Sequence, residues 1–361
     1  MSVSLPSPHL LAADSVPSLR WGVIGTGIAS PFVNAIHTHT AQRAVAVAAR
    51  DADKTAAFAR RHGIATVHST ATALIEDPQV DVVYVATPHP LHHDQALEAI
   101  AAGKHVLIEK PIAMSAAQAR EITDAGRAAG VLVQEAMWTR YLPQSDIVRQ
   151  VLADGLLGDV RLVRADFGFV FPFDPGHRLW NAELGGGALL DAGVYPISFA
   201  SSVLGAPTSV AAAGSLSATG VDERADLLLT SANATALVST SLVTALPVTA
   251  SVLGAEGRLD VLSPFFGPSG VTLTMRPRPT GAVSAEESVT WRDKTFAVAN
   301  EGLGYQATYF SSYVSEGRVE SPLHPHAEVV SVMATIDEAR RQIGAADDER
   351  RAVLAASTRS I

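Results

Sequence analysis

Short apolar runs alternate with longer segments of helical spacing through the N-terminal part of the chain. Five runs predict β-strands, at residues 20–24, 44–48, 80–85, 105–108 and 131–134. Between them, residues 51–62 and 91–102 have helical spacing, with Asp51 placed as an N-cap and Gly103 placed as a stop. Strands that alternate with crossover helices predict a doubly wound parallel sheet, here over residues 19–140.

The pattern changes beyond residue 140. Helical spacing at 145–153 precedes a strand pattern at 160–171, and an apolar helix follows the glycines at 185–187. Six β-like runs come next without crossover helices, at 208–213, 225–230, 236–241, 250–253, 258–261 and 271–275. Such succession predicts a mainly antiparallel sheet, and late helices at 304–316 and 326–343 complete an α+β domain over residues 141–345. Residues 1–18 are expected to be a loose N-terminal tail, and residues 346–361 a charged C-terminal tail.

Composition narrows the possible functions. The 361 residues are 47% hydrophobic and 17% charged, which suits two globular domains. The net charge of -9 argues against nucleic acid and acidic membranes as partners. The absence of Cys excludes disulfides, thiolate metal sites and cysteine nucleophiles. No apolar run approaches the ~18 residues of a membrane span, and no charged signal-peptide start is present, so we expect a cytoplasmic protein whose redox chemistry depends on a bound cofactor.

A glycine-rich segment, GVIGTGIAS at residues 22–30, lies where the first predicted strand ends and a helix begins. Gly25 permits a tight turn, Gly27 lets backbone N–H groups approach a pyrophosphate, and the helix N-terminus adds partial positive charge. Ser30 occupies the third glycine position, so the placement between strand and helix carries the prediction more than the motif does. The cofactor contacts predicted here are Gly25, Thr26, Gly27, Ile28 and Ala29.

The tip of the second predicted strand bears on the choice of dinucleotide. An acidic residue at this position binds the ribose of NAD, whereas Arg pairs with the 2′-phosphate of NADP. The strand ends Ala49-Arg50, and Asp51 is better explained as a helix cap. The sequence therefore favours NADP, bound by Arg50, with NAD as the alternative.

The segment after the third of these strands contains three histidines. Thr87, Pro88, His89 and His92 are predicted to contact the cofactor, because ligands of parallel sheets bind at the carboxyl ends of the strands. The spacing of His89, His92 and His93 also suits a metal. No acidic or thiolate cluster is evident to complete such a site, so no metal is predicted.

Two further runs contain candidate reacting groups. Lys110, one of four lysines, ends a buried strand and precedes a proline that keeps it extended. Asp191 and Tyr195 are spaced i, i+4, so both side chains are expected on one helix face. A phenol near a cation such as Lys110 is suited to acid–base chemistry, while a buried Tyr bonded to a buried Asp is an equally good structural explanation.

Four segments together resemble the Gfo/Idh/MocA oxidoreductase family over about residues 20–344. They are VAVAARD at 45–51, GKHVLIEKP at 103–111, EAMWTRYLP at 135–143 and GGGALLDAGVYP at 185–196. Within the family, the chain is most similar to the dihydrodiol dehydrogenase and NADP-dependent D-xylose 1-dehydrogenase group. The set Glu109-Lys110-Pro111 is highly specific, and Tyr195 stands where many relatives have His. The glycine motif departs from the family's usual form, which leaves Ala29 or Ser30 ambiguous at its third position.

The resemblance implies a Rossmann domain followed by a domain with a large open sheet, with the active site in the cleft between them. It implies that Lys110 and Tyr195 carry the chemistry with support from Asp191, that Glu109 and Lys110 contact the cofactor, and that the Lys110–Pro111 bond is cis. It also implies hydride transfer to or from a carbinol carbon, with Tyr195 moving the proton.

A sugar, polyol or cyclic diol is the predicted substrate, because an aromatic wall with a few polar groups suits such rings. The residues predicted to bind it are Trp138, Arg140, Phe167, His177 and Trp180, with Phe169 a weaker candidate. A homodimer formed through the second domain is expected, and a tetramer is possible. Two alternatives remain open: a non-catalytic dinucleotide-binding regulator, and an NAD-linked inositol or aldose dehydrogenase.

Overall fold

The computed structural model describes residues 4–276, 287–296 and 298–345. The chain divides into two compact units. Of the described residues, the parallel-sheet unit holds those within 10–142 and 295–330, and the antiparallel-sheet unit holds those within 1–9, 143–294 and 331–361. The predicted C-terminal tail, 346–361, lies outside the described residues.

The parallel-sheet unit is a Rossmann fold. Its helices are α1 Ser30–His39, α2 Ala52–His62, α3 Ala71–Ile75, α4 His92–Ala101 and α5 Ala116–Ala129. Its strands are β1 Arg20–Ile24, β2 Arg43–Ala48, β3 Thr66–His68, β4 Val82–Val85, β5 His105–Ile108 and β6 Val133–Glu135. They form one parallel sheet in the order β3-β2-β1-β4-β5-β6, the Rossmann order. The predicted fold class is confirmed, with β3, three mainly exposed residues, as an added edge strand.

The antiparallel-sheet unit is built on eight strands. Helices α6 Pro143–Ala153 and α7 Val194–Leu204 flank the first of them in sequence. The strands are β7 Val160–Gly168, β8 Ser209–Leu216, β9 Asp222–Thr230, β10 Thr235–Ser241, β11 Ala250–Gly254, β12 Gly257–Val261, β13 Gly270–Met275 and β14 Glu287–Arg292. Their order is β14-β13-β12-β11-β7-β10-β9-β8, and neighbours are antiparallel except β7 and β10. The predicted mainly antiparallel sheet is confirmed.

Alternating burial shows which face of this sheet is covered. Ala225, Leu227 and Leu229 of β9 are buried, while Leu228 between them is 42% exposed. Leu237 of β10, which pairs with Leu228, is 43% exposed. One face therefore packs beneath α7, and the other presents apolar side chains to solvent.

Two late helices, α8 Leu303–Ser315 and α9 His326–Gln342, follow the sheet in sequence. Aromatic side chains join α8 to the parallel-sheet unit: the Trp21 ring lies 5.1 Å from Phe310 and 5.4 Å from Phe32. Trp21, Phe32 and Phe310 are all buried. Residues 295–330 thus contribute to the core of the first unit, although the sequence pattern assigned them to the second domain.

The described part of the N-terminal segment is held in place. The His9 N–H donates to Asp146 Oδ2 at 2.7 Å, and the Gln42 side chain donates to the Pro17 carbonyl at 2.8 Å. Leu11 packs against the core of the parallel-sheet unit. The expectation of a loose tail over residues 1–18 is wrong for these residues, because backbone hydrogen bonds and an apolar contact tether them.

One helical segment among the described residues is long and apolar enough to cross a membrane by length and composition alone. It is Ala182–Leu204, and 72% of the tested window is buried inside the protein. Such burial is typical of the core helix of a globular domain.

Candidate active site

The loop after β1 brings Gly25 close to the backbone carbonyl of Ala86. Gly25 has φ of 98°, and a Cβ on it would lie 2.4 Å from the Ala86 carbonyl oxygen. The Gly25 N–H donates to the Ala48 carbonyl at 2.9 Å. Gly25 is therefore required where the ends of β1, β2 and β4 converge.

The rest of the loop suits a phosphate. A Cβ on Gly27 would meet nothing within 4 Å, and Gly27 and Ile28 are exposed. Helix α1 begins directly after the loop with no side-chain cap and no acidic residue in its first turn. These backbone N–H groups fit an anion such as a pyrophosphate. Ser30, at the third motif position, is hydrogen-bonded to His62 Nε2 at 2.7 Å.

At the tip of β2, the adjacent residues Arg50 and Asp51 have different surroundings. The Asp51 carboxylate accepts the Lys54 N–H at 3.0 Å, which confirms the predicted helix cap. This N–H is the main cause that lowers the pKa of Asp51. Arg50 is exposed, and within the described part of the chain its guanidinium makes no hydrogen bond or ion pair. A 2′-phosphate fits Arg50 better than a ribose diol would fit Asp51.

His92 joins two loops of the parallel-sheet unit. Its ring nitrogens lie 2.9 Å from the Pro111 and Thr87 carbonyl oxygens, and the side chain has no exposed surface. Burial lowers its pKa. In its neutral form the ring donates to one of these two carbonyls, which ties the two loops at a buried position, and the predicted contact of His92 with the cofactor remains a prediction. His89 is also buried, and Thr87 is half-buried with its hydroxyl bonded to Gln95.

Lys110 has anchored neighbours on both sides. The Lys110–Pro111 bond is cis, as the resemblance implied. Tyr84 donates its hydroxyl proton to the Glu109 carboxylate, and the Ile112 N–H donates to Glu135 Oε1 at 2.8 Å. Burial raises the pKa of Glu109, against the effects of Tyr84 and Lys110. The backbone around the half-buried Lys110 is thus fixed by side chains other than its own.

A buried polar network extends from Glu135. Glu135 Oε2 lies 2.8 Å from His324 Nε2, and both side chains are almost fully buried. Arg140 donates to Glu328 Oε1 at 2.6 Å. Burial opposes ionisation of Glu328, yet the nearby His324 ring, 3.7 Å away, and the hydrogen-bonded Arg140 lower its pKa to about 2. Arg140 is therefore held in an internal ion pair, and Trp138 beside it is buried. Their proposed substrate contacts remain predictions.

The glycines at 185–187 pack against backbone. A Cβ on Gly186 would lie 2.6 Å from the Leu179 carbonyl oxygen, to which the Gly187 N–H donates at 3.0 Å. Residues Leu189–Gly193 then form a π-helical turn, and α7 begins at Val194. Single π turns occur frequently at functional sites.

Asp191 and Tyr195 have different neighbours. Arg178 Nη1 lies 2.7 Å from Asp191 Oδ1. The Tyr195 ring lies 5.7 Å from Phe167 and 5.3 Å from Phe266. Phe167 and Phe266 are stacked at 4.5 Å with an interplanar angle of 11°. Tyr195 therefore borders an aromatic surface, and Asp191 is oriented by a cation.

The other substrate candidates of this unit divide into two groups. Phe169 lies 5.9 Å from Phe167, and the His177 ring lies 4.4 Å from Phe171, so both extend the aromatic surface. Trp180 is buried, and its Nε1 donates to the Pro172 carbonyl at 2.9 Å. Trp180 thus belongs to a buried hydrophobic cluster, and its contact with the substrate remains a prediction.

Phe266 and Arg178 were missed by sequence reasoning. Arg178 stands next to His177 in the sequence, so a search for cations beside aromatic candidates would have found it. Phe266 lies in the connection between β12 and β13, about 70 residues from Tyr195, and no sequence signal links the two. Among the residues that the structure describes, no group of His, Asp and Glu is arranged to bind a metal.

Comparison with family models matches both parts of the chain. Residues 19–137 match the Gfo/Idh/MocA oxidoreductase family model, described as an NAD-binding Rossmann fold. Residues 146–260 match the model of the C-terminal domain of the same family.

Curated relatives cover nearly the whole chain. The trans-1,2-dihydrobenzene-1,2-diol dehydrogenase of Xenopus laevis is 35% identical over 90% of this chain and 98% of its own length. The human enzyme of the same name is 33% identical over 91% of this chain and 97% of its own length. Among solved structures, a 3-ketoreductase from Actinomadura kijaniata in complex with NADP and TDP-benzene has a TM-score of 0.78 and 28% identity, covering 90% of this chain and 98% of its own.

Proposed function

Since the chain belongs to the Gfo/Idh/MocA family of oxidoreductases, we propose that it is an NADP-dependent dehydrogenase acting on a sugar, polyol or cyclic diol. The observation that carries the proposal is the near full-length similarity to dihydrodiol dehydrogenases in a chain that has Lys110, Asp191 and Tyr195. A likeness of fold alone would support much less, because one fold hosts many functions.

The proposed cofactor is held by the parallel-sheet unit. The glycine loop with Gly25 and Gly27, together with the N-terminus of α1, would bind the pyrophosphate. Arg50 would pair with the 2′-phosphate, and the predicted contacts Thr26, Ile28, Ala29, Thr87, Pro88 and His89 would line the rest of the site. Bound NADP supplies the hydride acceptor at C4 of its nicotinamide.

The proposed chemistry divides between a phenol and an ammonium group. In the oxidation direction, the Tyr195 phenolate would take the hydroxyl proton as the carbinol C–H bond breaks, and NADP held by the parallel-sheet unit would accept the hydride. Lys110 donates a hydrogen bond to the reacting oxygen and stabilises the negative charge that develops there. Asp191, bonded to Arg178, supports the polar end of the substrate.

The proposed substrate is a ring with an apolar face and adjacent hydroxyl groups. The stacked pair Phe167 and Phe266 beside Tyr195 offers a flat surface to such a ring. His177 and Phe169 extend that surface with one polar group.

Steady-state assays test this function. NADP and NAD are each to be offered with aldoses, inositols and trans-dihydrodiols, and formation of NADPH or NADH followed by its absorbance. Turnover with NADP on one substrate class would support the proposal. Micromolar binding of NADP without turnover on any of these compounds would instead favour the regulator, and turnover with NAD alone would favour the NAD-linked alternative.

Arg50→Gln should weaken NADP specifically. We expect the KM for NADP to rise about 10- to 100-fold, the value of a charge-assisted hydrogen bond to the phosphate, with little change in the KM for NAD. Arg60→Gln, an exposed Arg on α2, is the matched control. An unchanged ratio of the two KM values would remove Arg50 from the phosphate site.

We also propose that the open face of the eight-stranded sheet is covered by a second copy of the chain. Leu228 and Leu237 lie side by side on this face, and the pairs Arg224–Asp226 and Arg258–Asp260 supply both signs of charge. A face with apolar and mixed charged groups is self-complementary across a twofold axis. We also propose an intracellular location. Disulfides are rare in that reducing environment, so a chain without Cys forgoes no stabilising bond there.

Size-exclusion chromatography with light scattering measures the mass of the assembly. The wild type should have the mass of a dimer. Leu237→Arg should shift the mass toward that of the monomer, because each interface gains two buried charges. Val67→Arg, at a residue 47% exposed on β3, is the control and should leave the mass unchanged. A monomeric wild type would refute the dimer without affecting the proposed reaction.

A further inference from the structure

Asp222 is a buried carboxylate that the proposed reaction does not use. It begins β9 and is 1% exposed. Its Oδ2 accepts the Leu189 N–H at 2.6 Å. Leu189 is the first residue of the π-helical turn, so the carboxylate lies at the N-terminal end of the turn, where backbone N–H groups have no partner within the helix.

Gly187, two residues before the turn, packs against this carboxylate. Gly187 has φ of 121°, and a Cβ on it would lie 2.3 Å from Asp222 Oδ1. The space that any other side chain would need is therefore taken by Asp222. The last glycine of the GGG segment and the carboxylate form one packing unit that fixes where the turn begins.

The positions of both candidate catalytic residues of this unit depend on where the turn begins. Asp191 lies two residues after Leu189, and its N–H donates to the Gly187 carbonyl at 3.2 Å. Tyr195 lies six residues after Leu189, in the first turn of α7. A shift of Leu189 away from Asp222 would therefore move both residues.

We propose that Asp222 is a positioning residue that fixes the π-helical turn, and through it Asp191 and Tyr195, in the geometry required for turnover. The proposal rests on the proposed function. Asp222 does not touch the substrate in this assignment; it acts through the Leu189 N–H.

The charge state of Asp222 supplies an additional readout. Burial raises the pKa of Asp222 to about 6, opposed by the Leu189 and Ala188 N–H groups and by Arg340. Within the described residues, Arg340 of α9 is the charged group that acts on this carboxyl, and it is itself buried. Protonation below pH 6 removes the charge that attracts the Leu189 N–H, so kcat should fall on the acid side.

The test compares Asp222→Asn with Asp159→Asn in the full-length chain. Asp159 lies in the same unit, but it is exposed and pairs with Arg161 on the surface, which makes it the matched control. In Asp222→Asn we expect kcat to fall at least tenfold, the KM for NADP to stay within twofold, and the acid limb near pH 6 to disappear from the kcat profile. Amide hydrogen exchange over residues 187–195 should accelerate at least tenfold, and the control should change none of these.

Two results would overturn the inference. Unchanged exchange over residues 187–195 would show that Asp222 does not fix the turn. Faster exchange with wild-type kcat and an unaltered pH profile would show that the turn's position does not matter for turnover.

A wild type that turns over none of the substrates would refute the proposed function instead, and the exchange measurement would still report on the contact between Asp222 and Leu189. Gly187→Ala is the second variant, since its Cβ displaces the same carboxylate; it should reproduce both the faster exchange and the loss of kcat.

Discussion

Replacing Tyr195 with Phe is expected to lower kcat about a thousandfold, the middle of the range for loss of a general acid–base. The phenol oxygen is the only atom removed, and the ring keeps its contacts with Phe167 and Phe266. Thermal stability and the KM for NADP should therefore stay near the wild-type values.

The measurement is kcat and kcat/KM under saturating NADP, with the melting temperature recorded beside them. Tyr305→Phe, a half-buried Tyr of the parallel-sheet unit, is the control and should retain full kcat. A Tyr195→Phe enzyme within tenfold of wild type would assign the proton transfer to another group. Loss of NADP binding in this variant would point to a structural effect instead.

The regular parts of the fold could be predicted because their sequence signals are local. β1 and β5 occur at the residues predicted, and the Asp51 cap and the loop at Gly25 were read correctly from single positions. Each depends on periodicity, on a cap or on one steric requirement within a few residues.

The features that were missed depend on contacts between distant residues. Helix α8 joins the first unit because Phe310 packs on Trp21, almost 300 residues earlier in the sequence. His92 was assigned to the cofactor because of its position after a strand, and its burial against the Thr87 and Pro111 carbonyls, 5 and 19 residues away, was not predicted. Asp222 is distant from the glycine motif in the sequence and lies against Gly187 only in the folded structure. No local pattern encodes such pairs.

Lys110→Met is the second variant with a large expected effect. We expect kcat to fall about 100- to 1000-fold, because the variant loses the cation that stabilises the developing charge on the reacting oxygen. Lys54→Met, at an exposed lysine of α2, is the control. Saturating NADP is essential in this assay, since Lys110 is also a predicted cofactor contact.

The structure makes this variant informative because it separates the side chain from the fold around it. The Pro111 carbonyl is held by His92 and the Ile112 N–H by Glu135, so neither anchor depends on the Lys110 ammonium group. A fall in kcat with an unchanged Kd for NADP then reports on chemistry. A rise in Kd with an unchanged kcat at saturation would make Lys110 a cofactor ligand only, and Tyr195 would have to act without it.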